Sequence, residues 1–371
     1  MDTAIGIIGC GTISSAYLRT LTRAPGVRVA AVADLDPARA RAQADAFGVA
    51  EALDPAGLLA RDDVALVVDL TIPAAHFEVN RLALEAGKAV YSEKPLAASA
   101  AQARTLVALA RGRGLALGGA PDTFLGAGAQ TARAALDQGA IGRPFAAVAH
   151  MVSRGPESWH PDPGFLYQPG AGPLLDMGPY YVTTLVSLFG PVASVVADAS
   201  RTWPTRTVGS GPLAGRSVPV VVDTHVTVLL RFVSGAVATL LTTFDVTASD
   251  LPRFEVFGEE GTLSLPDPNV FAGPVRLRTA TDAAWRELPQ VPGFGGNARG
   301  IGALELRLAA AAGRPPRASG ELASHVLDVL EGALTAARSG QRVAIDSRPT
   351  RPAALATDEL TALGWAPEVP A

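Results

Sequence analysis

The first chemical signal in the sequence is a glycine-rich turn followed, about twenty positions later, by an acidic residue. An apolar run enters Gly9-Cys10-Gly11-Thr12-Ile13-Ser14, and the next apolar run ends at Asp34. Gly9 allows a tight turn, Gly11 lets the backbone approach a pyrophosphate, and a helix beginning near Thr12 and Ile13 offers free N–H groups to phosphate oxygens. Asp34 lies where a carboxylate binds an adenosine ribose and repels a 2′-phosphate, so we predict NAD rather than NADP. An ordinary strand-to-helix turn is the alternative.

Lys94 is the side chain best placed for proton transfer. It lies within Glu93-Lys94-Pro95 and follows the apolar segment 89–92, which we predict to be an inner parallel strand. Beside an oxidised nicotinamide its ammonium group would lose solvation and meet a second positive charge, and both effects lower its pKa. Lys94 would then accept a proton from a substrate hydroxyl while hydride leaves the same carbon. A surface lysine paired with Glu93 is the alternative. Pro95 leaves open whether the Lys94-Pro95 peptide is cis.

The residues after a neighbouring strand are candidates for contact with the same cofactor. Thr71 and Pro73 follow the apolar run 64–70, and His76 comes one helical turn later. In an open α/β sheet the ligand lies outside the carboxyl ends of the strands. We therefore predict that Thr71, Pro73, His76 and Glu93 flank the cofactor. A capping or surface role is the alternative for His76.

A segment over 153–172 is so rich in glycine, proline and aromatic residues that neither a helix nor a strand is expected there. It contains Trp159, His160 and Tyr167. Aromatic faces can cover the apolar C–H face of a sugar ring, and a histidine can bind its hydroxyl groups. These three residues are therefore predicted to contact a polyol substrate, unless the aromatic side chains only pack the loop onto its own domain.

Asp176 and Tyr180 are the other candidates with side chains suited to proton transfer. They are four positions apart in a segment that continues into a helix ending near Phe189, so they share one helix face.

The candidate residues lie in two parts of the chain that have different predicted folds. Over residues 4–120 short apolar strands alternate with helical patterns, which is typical of the α/β class and of a doubly wound parallel sheet, the Rossmann fold. Beyond Pro121 strands with period-two alternation follow two helices, which predicts an α+β domain with a large, mostly antiparallel sheet. We place an NAD-binding domain over 1–121 and a substrate-binding domain over 122–371. The excursion 201–219 reads as a lid, a subunit arm or a solvated loop.

Composition narrows the class of protein. A chain of 371 residues with 48% hydrophobic content suits two domains with sizeable cores. A net charge of −4 argues against nucleic acid as a general partner, and no apolar run reaches the roughly twenty residues that span a bilayer. The start of the chain shows no secretory signal pattern, and Cys10 is the only cysteine, so we expect a cytoplasmic protein. The five histidines are scattered without ligand spacing, so no metal is predicted.

The glycine turn, Ala86-Gly87-Lys88 and Glu93-Lys94-Pro95 together resemble the Gfo/Idh/MocA oxidoreductase family, which includes glucose-fructose oxidoreductase and inositol dehydrogenases. The match covers about residues 4–120, with Ile72-Pro73 where the family often has Pro-Asn. The segment 170–181 is similar to the family's Gly-Gly-x-Leu-x-Asp-x-Gly-x-His pattern, in which Asp176 matches and Tyr180 replaces the histidine.

The resemblance implies an NAD-dependent oxidoreductase that acts on a secondary alcohol or ketone of a sugar, sugar derivative or cyclitol. It implies that Asp176 orients Lys94 or the substrate and that Tyr180 contacts the reacting oxygen. A nearby Lys94 ammonium would lower the pKa of Tyr180 from about 10, so either Lys94 or Tyr180 is the proton acceptor. A space-filling Tyr180 bonded to Asp176 is the alternative.

The resemblance also implies a homo-oligomer, a dimer or tetramer, formed through the open face of the second sheet. Two other functions stay open at this point. One is NAD-dependent glycoside cleavage, in which the sugar is oxidised only transiently. The other is a non-catalytic NAD-binding regulator, for which the Tyr180 replacement is a weak indication.

Overall fold

The first sheet of the computed structural model, which describes residues 2–366, is the framework of the glycine turn. Six parallel strands run in the order β3-β2-β1-β4-β5-β6, so the predicted doubly wound sheet is confirmed. Its strands are β1 (Thr3–Ile8), β2 (Val27–Ala33), β3 (Ala52–Leu53), β4 (Val64–Asp69), β5 (Ala89–Ser92) and β6 (Leu117–Gly119). Its helices are α1 (Ser14–Leu21), α2 (Pro37–Phe47), α3 (Pro55–Leu59), α4 (Pro73–Glu85) and α5 (Ala100–Arg113). The short β3 and α3 have too few residues for a periodic pattern, and the sequence analysis missed them.

The glycine turn joins β1 to α1 and requires Gly9. This residue has φ +101°, and a Cβ there would lie 2.5 Å from the carbonyl carbon of Leu70. A side chain at Gly9 would therefore separate the ends of β1 and β4. Helix α1 begins at Ser14, two residues later than expected, because residues 11–13 still belong to the turn. The buried Ser14 hydroxyl donates to the Gly11 carbonyl oxygen at 2.6 Å and closes the turn.

The second sheet has nine strands in the order β16-β15-β14-β13-β7-β12-β11-β8-β17. Every pairing in it is antiparallel except β7 with β12, which is parallel, so the sheet is mixed but mostly antiparallel, as predicted. Its elements, with a separate β9–β10 hairpin in the excursion 201–219, are α6 (Ala127–Asp137), β7 (Pro144–Val152), α7 (Gly172–Phe189), β8 (Val192–Ser200), β9 (Thr205–Thr207), β10 (Ser217–Pro219), β11 (His225–Phe232), β12 (Val237–Thr243), β13 (Phe254–Gly258), β14 (Gly261–Ser264), β15 (Arg276–Thr279), β16 (Arg286–Glu287), α8 (Ile301–Ala311), α9 (Gly320–Ser339) and β17 (Val343–Ala344).

Helices α8 and α9 return to the first sheet. The Gly119 N–H at the end of β6 donates to the Ala318 carbonyl oxygen at 3.0 Å, and Leu327 of α9 belongs to the same buried apolar cluster as Leu96. On α8, a Cβ at Gly302 would lie 2.3 Å from the Tyr91 hydroxyl oxygen, so only glycine permits this approach. The domain boundary at residue 121 stays a prediction, and the later segment contributes two helices to the packing of the earlier one.

Backbone conformation limits two segments near the C-terminal end. Helix α8 begins only at Ile301, because Gly300 has φ +107°, which a right-handed helix does not accommodate. The segment 355–363 forms only the 3₁₀ turn Thr357–Glu359 followed by further turns. In residues 2–366 no helix has the length and apolar character required to span a bilayer.

Candidate active site

The turn between β1 and α1 has the open geometry that a pyrophosphate requires. A Cβ at Gly11 would meet no protein atom within 4 Å. Within the described part of the chain, the backbone N–H groups of Gly11, Thr12 and Ile13 make no internal hydrogen bond. They therefore remain free for phosphate oxygens. The residues present fit an NAD pyrophosphate at this turn.

Asp34 lies at the end of β2 and is fixed beside the same turn. One carboxylate oxygen accepts from the Cys10 N–H at 2.8 Å, and the other accepts from the Asp36 N–H at 2.9 Å. Burial and the neighbouring Asp34 charge raise the pKa of the Cys10 thiol to about 12, so Cys10 stays a neutral thiol at physiological pH. The carboxylate retains lone pairs for ribose hydroxyl groups.

Two exposed aliphatic residues at this edge were missed by the sequence analysis. Leu35 is 90% exposed and directly follows Asp34, and Ile72 is 69% exposed and follows β4. Strands β2 and β4 flank β1 on either side. These side chains offer apolar surface that a planar base such as adenine would cover. The available signal was their position within three residues of the ends of β2 and β4.

His76 is buried between the two loops that were expected to flank the cofactor, and contact between its ring and the cofactor stays a prediction. It is 1% exposed, with Nδ1 2.6 Å from the Pro95 carbonyl oxygen and Nε2 3.0 Å from the Thr71 carbonyl oxygen. The imidazole therefore ties the loop after β4 to the loop after β5. Sequence spacing placed His76 one turn into α4, but it could not show that the ring points inward.

The loop after β4 is organised by a buried carboxyl group that the sequence analysis did not single out. Asp69 accepts from the backbone N–H and the hydroxyl of Thr71 at 2.9 and 2.6 Å. Burial raises the pKa of Asp69, and its second oxygen has no hydrogen-bond partner among the described residues. Pro73 begins α4 directly after this turn, where its missing N–H costs no helix hydrogen bond.

Glu93 positions the backbone of Lys94. Its carboxylate accepts from the Tyr17 hydroxyl and from the Lys94 N–H, both at 2.8 Å, and it is nearly buried. Both carboxylate oxygens are engaged within the fold. Direct contact between Glu93 and the cofactor stays a prediction. The Lys94-Pro95 peptide, which the sequence left undecided, is cis.

Lys94 reaches across to α7 of the second domain. Its Nζ donates to a carboxylate oxygen and to the backbone carbonyl oxygen of Asp176, both at 2.7 Å. Burial by itself lowers the pKa of Lys94, but the Asp176 carboxylate, Tyr180 and Glu93 outweigh it and raise the pKa above that of an ordinary lysine. The predicted downward shift is therefore wrong for the protein by itself. The carboxylate partner, 82 positions away in sequence, stabilises the ammonium form.

Tyr180 completes a cluster with Lys94 and Asp176. The Lys94 Nζ lies 5.5 Å from the centroid of the Tyr180 ring. Lys94 lowers the pKa of Tyr180, as predicted, but burial has the larger effect and the net shift is upward. Arg299 also lowers the pKa of Tyr180. It lies 119 positions after Tyr180 in the chain, and no motif in the sequence marks it.

The aromatic segment 153–172 divides into an outer and an inner part. Trp159 is 68% exposed, and His160 packs edge-on against Trp159 and Phe165 with ring centroids 5.5 and 5.3 Å apart. Tyr167 is fully buried against Phe244, so its predicted contact with substrate is wrong. Contact of Trp159 and His160 with substrate stays a prediction.

Arg206 ties this segment to the excursion 201–219. Its buried guanidinium forms ion pairs with Glu157 and Asp245 and lies 4.8 Å from the ring centroid of Trp203. It also lies 5.7 Å from the ring centroid of Tyr167. Two buried carboxylates thus hold the β9 arginine in place. The excursion is anchored to the aromatic segment through β9.

In residues 2–366 no group of histidine, cysteine, aspartate and glutamate side chains has the arrangement of a metal site. What the structure brings together at the carboxyl edge of the first sheet is an amine, a carboxylate and a phenol. Strands β1 and β5 are separated only by β4, so their ends lie about 10 Å apart. The cluster and the open glycine turn are therefore close enough to contact one extended ligand.

Comparison with curated proteins identifies relatives named as inositol dehydrogenases and as a sugar reductase. The chain is 37% identical to inositol 2-dehydrogenase 1 of Saccharopolyspora erythraea over 165 residues, which cover 43% of this chain and 48% of that one. It is 30% identical to 1,5-anhydro-D-fructose reductase of Ensifer adhaerens over 266 residues, which cover 70% and 74%. The chain spans about half the length of the inositol dehydrogenases that it matches.

Among solved structures, an NAD binding oxidoreductase from Klebsiella pneumoniae superposes with a TM-score of 0.81 at 24% identity, covering 93% of this chain and 99% of that one. This likeness establishes the fold. Residues 3–119 match the family model described as oxidoreductase family, NAD-binding Rossmann fold, and residues 129–264 match the GFO/IDH/MocA C-terminal domain. The chain therefore belongs to the GFO/IDH/MocA family of oxidoreductases, with an NAD-binding Rossmann domain at its N-terminal end.

Proposed function

We propose that the protein is an NAD(H)-dependent dehydrogenase or reductase that interconverts a secondary alcohol and the matching ketone on a sugar, sugar derivative or inositol ring. The observation that carries this proposal is the contact of Lys94 with Asp176, beside Tyr180, at the carboxyl edge of the Rossmann sheet. Relatives that are named for inositol and anhydrofructose support a cyclic polyol as substrate. When bound, NAD supplies the hydride acceptor.

Within this proposal, Tyr180 is the better candidate for the group that takes the substrate proton. Asp176 keeps Lys94 in its ammonium form, which has no lone pair to accept a proton. Only the phenolate form of Tyr180 can accept that proton. Burial raises the pKa of Tyr180 and opposes this form, whereas the Lys94 charge favours it. Lys94 would then donate a hydrogen bond to the reacting oxygen, and Asp176 would orient the amine.

The test is a panel of inositols, hexoses, anhydrosugars and glycosides with NAD and separately with NADP, followed by the absorbance of the reduced nicotinamide. We expect reduction of NAD by at least one cyclic polyol, with the ring intact in the product. Release of an aglycone without net NADH would identify a glycosidase. NAD binding without turnover of any alcohol or ketone would favour a regulator. Turnover with NADP alone would overturn the role of Asp34.

We further propose a cytoplasmic homo-oligomer, a dimer or a tetramer, formed through the open face of the nine-stranded sheet. Register places Val148, Val196, Leu229, Thr239 and Glu255 in one row across five strands, and all five remain at least partly exposed. Leu229 is 41% exposed in the middle of β11. Light scattering of the wild type and of Leu229→Asp tests this. A monomeric wild type would contradict it.

A further inference from the structure

Two loops at the carboxyl edge of the first sheet are joined through one buried imidazole. His76 lies near the start of α4 and is 1% exposed. Its Nδ1 lies 2.6 Å from the carbonyl oxygen of Pro95, after β5, and its Nε2 lies 3.0 Å from that of Thr71, after β4. Lys94 directly precedes Pro95, so the ring holds the turn that carries the Lys94 amine.

The two partners of the His76 ring determine the charge that it must carry. A carbonyl oxygen accepts hydrogen bonds and cannot donate one, so each ring nitrogen needs a proton in order to bond to it. A neutral imidazole has one N–H group and one lone pair, and that lone pair would face a carbonyl oxygen at hydrogen-bonding distance. Only the imidazolium, with two N–H groups, satisfies both contacts.

His325 has the opposite arrangement in the same protein. It is also buried, but its Nε2 accepts from the Val192 N–H at 3.0 Å, while its Nδ1 lies 2.7 Å from the Ser347 hydroxyl oxygen. One ring nitrogen therefore has to present a lone pair. Burial lowers the pKa of His325 to about 4, so this histidine is neutral at physiological pH. The partners of the two buried rings thus require different charges.

A buried carboxyl group lies behind the loop that His76 contacts. Asp69, at the end of β4, accepts from the N–H group and the hydroxyl of Thr71, whose carbonyl oxygen is the partner of Nε2 of His76. Burial raises the pKa of Asp69, and the charge of His76 acts against that rise. A positive ring and a negative carboxylate, joined through Thr71, would offset each other's burial.

Other charged side chains on the surrounding elements bond to partners of their own. Glu93 accepts from the Tyr17 hydroxyl and from the Lys94 N–H. The ion pairs are Lys94 with Asp176, Arg81 with Glu78 and Glu85 on the exposed side of α4, and Arg104 of α5 with Asp328.

The buried face of α4 holds the Lys94 turn at a second point. Asn80, which is four positions after His76 and fully buried, donates through Nδ2 to the Leu96 carbonyl oxygen at 3.2 Å. Side chains four positions apart lie on one helix face. The carbonyl oxygens of two successive residues, Pro95 and Leu96, are therefore bonded from the same face of α4.

We propose that His76 is a buried imidazolium at neutral pH and that, in this form, it is a positioning residue that fastens the Lys94 turn to the loop after β4. This inference rests on the proposed function, in which Lys94 bonds to the reacting oxygen. Loss of one ring proton would leave a carbonyl oxygen facing a lone pair, and the contact on that side would be lost. The charge of the ring, and not only its shape, keeps the two loops together.

The first experiment measures the charge directly, by ¹⁵N NMR of the full chain with labelled histidine at neutral pH. Protonated and unprotonated ring nitrogens resonate far apart, so the spectrum distinguishes an imidazolium from a neutral ring. The chain has five histidines, and His76→Gln and His325→Gln assign the two of interest. We expect two protonated nitrogens in His76 and one in His325. An unprotonated nitrogen in His76 would overturn the proposal.

The second experiment follows the Lys94 turn in His76→Gln, whose single amide nitrogen cannot reach both carbonyl oxygens. With lysine labelled with ¹³C at Cε, the Lys94 resonance should move and the Lys88 resonance should not, and kcat/KM should fall about tenfold. His150→Gln is the matched control, because Nδ1 of His150 also lies 2.7 Å from a proline carbonyl oxygen, that of Pro252. It should leave the Lys94 resonance and kcat/KM unchanged.

An unmoved Lys94 resonance in His76→Gln would overturn the positioning role, and so would an equal movement in His150→Gln. Neither NMR measurement needs a substrate. An inactive wild type would therefore count against the proposed function alone.

Discussion

The two edges of the six-stranded sheet carry the same kind of residue with different surroundings. The chain has only two lysines, one at each end of β5. Lys88, at the amino end, is 5% exposed and donates to the carbonyl oxygens of Arg61 and Val64, at 2.6 and 3.0 Å. Lys94, at the carboxyl end, donates to Asp176 of the second domain. Lys88 therefore bonds to the start of β4 in its own sheet and to the segment just before it, while Lys94 bonds to a helix of the later part of the chain.

The aspartates of the two edges differ in the same way. Asp63, at the amino edge, is paired with Arg28 and Arg61, and these charges satisfy each other at the surface. Asp34, at the carboxyl edge, binds only backbone N–H groups of its own turns. A charged residue type is therefore weak evidence of function. Stronger evidence of function comes from the edge of the sheet on which the residue lies and from whether its partners leave it free for a ligand.

The largest effect is expected from removing the carboxyl-edge amine. Lys94→Met should lower kcat/KM by about a thousandfold, because the reacting oxygen loses its hydrogen-bond donor and the cluster loses a cation. NADH affinity, measured by fluorescence titration, should change little. A variant that keeps more than a tenth of wild-type activity would remove the proposed distinction between the two lysines.

Breaking the contact between domains should have the next largest effect. Asp176→Asn should lower kcat/KM by about a hundredfold and lower the pKa of Lys94, because burial is then no longer outweighed by a carboxylate. Lysine labelled with ¹³C at Cε gives two side-chain resonances, so the titration of Lys94 can be followed directly.

The raised pKa of Lys94 in the wild-type protein predicts how the free energy of unfolding depends on pH. The pKa of Lys94 in the folded protein lies above the ordinary lysine value of 10.5. The contribution of the ion pair is therefore complete below pH 10.5 and is lost as the pH rises through the folded value. Denaturant unfolding of the wild type and of Asp176→Asn should differ at neutral pH and converge at strongly alkaline pH. A constant difference would contradict this.

Replacement of Lys88, at the amino end of β5, should reduce stability and leave activity unchanged. Lys88→Met leaves two buried carbonyl oxygens without a donor and should reduce the free energy of unfolding by about 2 kcal/mol. The kcat of the folded variant should match the wild type. Urea unfolding and the NADH assay, run on the same sample, separate the two quantities. A loss of activity without a loss of stability would contradict the comparison.

The smallest effect concerns the two aspartates. Asp34→Asn should weaken NAD binding by about tenfold, because a charge-assisted hydrogen bond to the ribose is lost, and should narrow the preference for NAD over NADP. Asp63→Asn is the matched control at the amino edge and should leave both affinities unchanged. Equal affinities of the two variants would show that Asp34 serves only to hold the turn.

Much of the first domain could be predicted because its signals are local. Gly9 and Gly11 act within one turn, and the apolar run 89–92 places Lys94 at a strand end within a few residues. Strand and helix periodicity depends on nearest neighbours along the chain, so most element bounds were close. The elements missed in this domain, β3 and α3, span only two and five residues.

The sequence by itself determined which edge of the first sheet is suited to bind the cofactor. It also determined which residue types follow the strands at that edge. The tertiary structure alone decided which groups meet: Asp176 with Lys94, Lys94 with Tyr180, and His76 with two carbonyl groups. The composition of a loop does not show which of its aromatic side chains points into the core, which is why Tyr167 was misplaced. A pKa is set by burial and by charges distant in sequence, so the directions for Lys94 and Tyr180 required the assembled cluster.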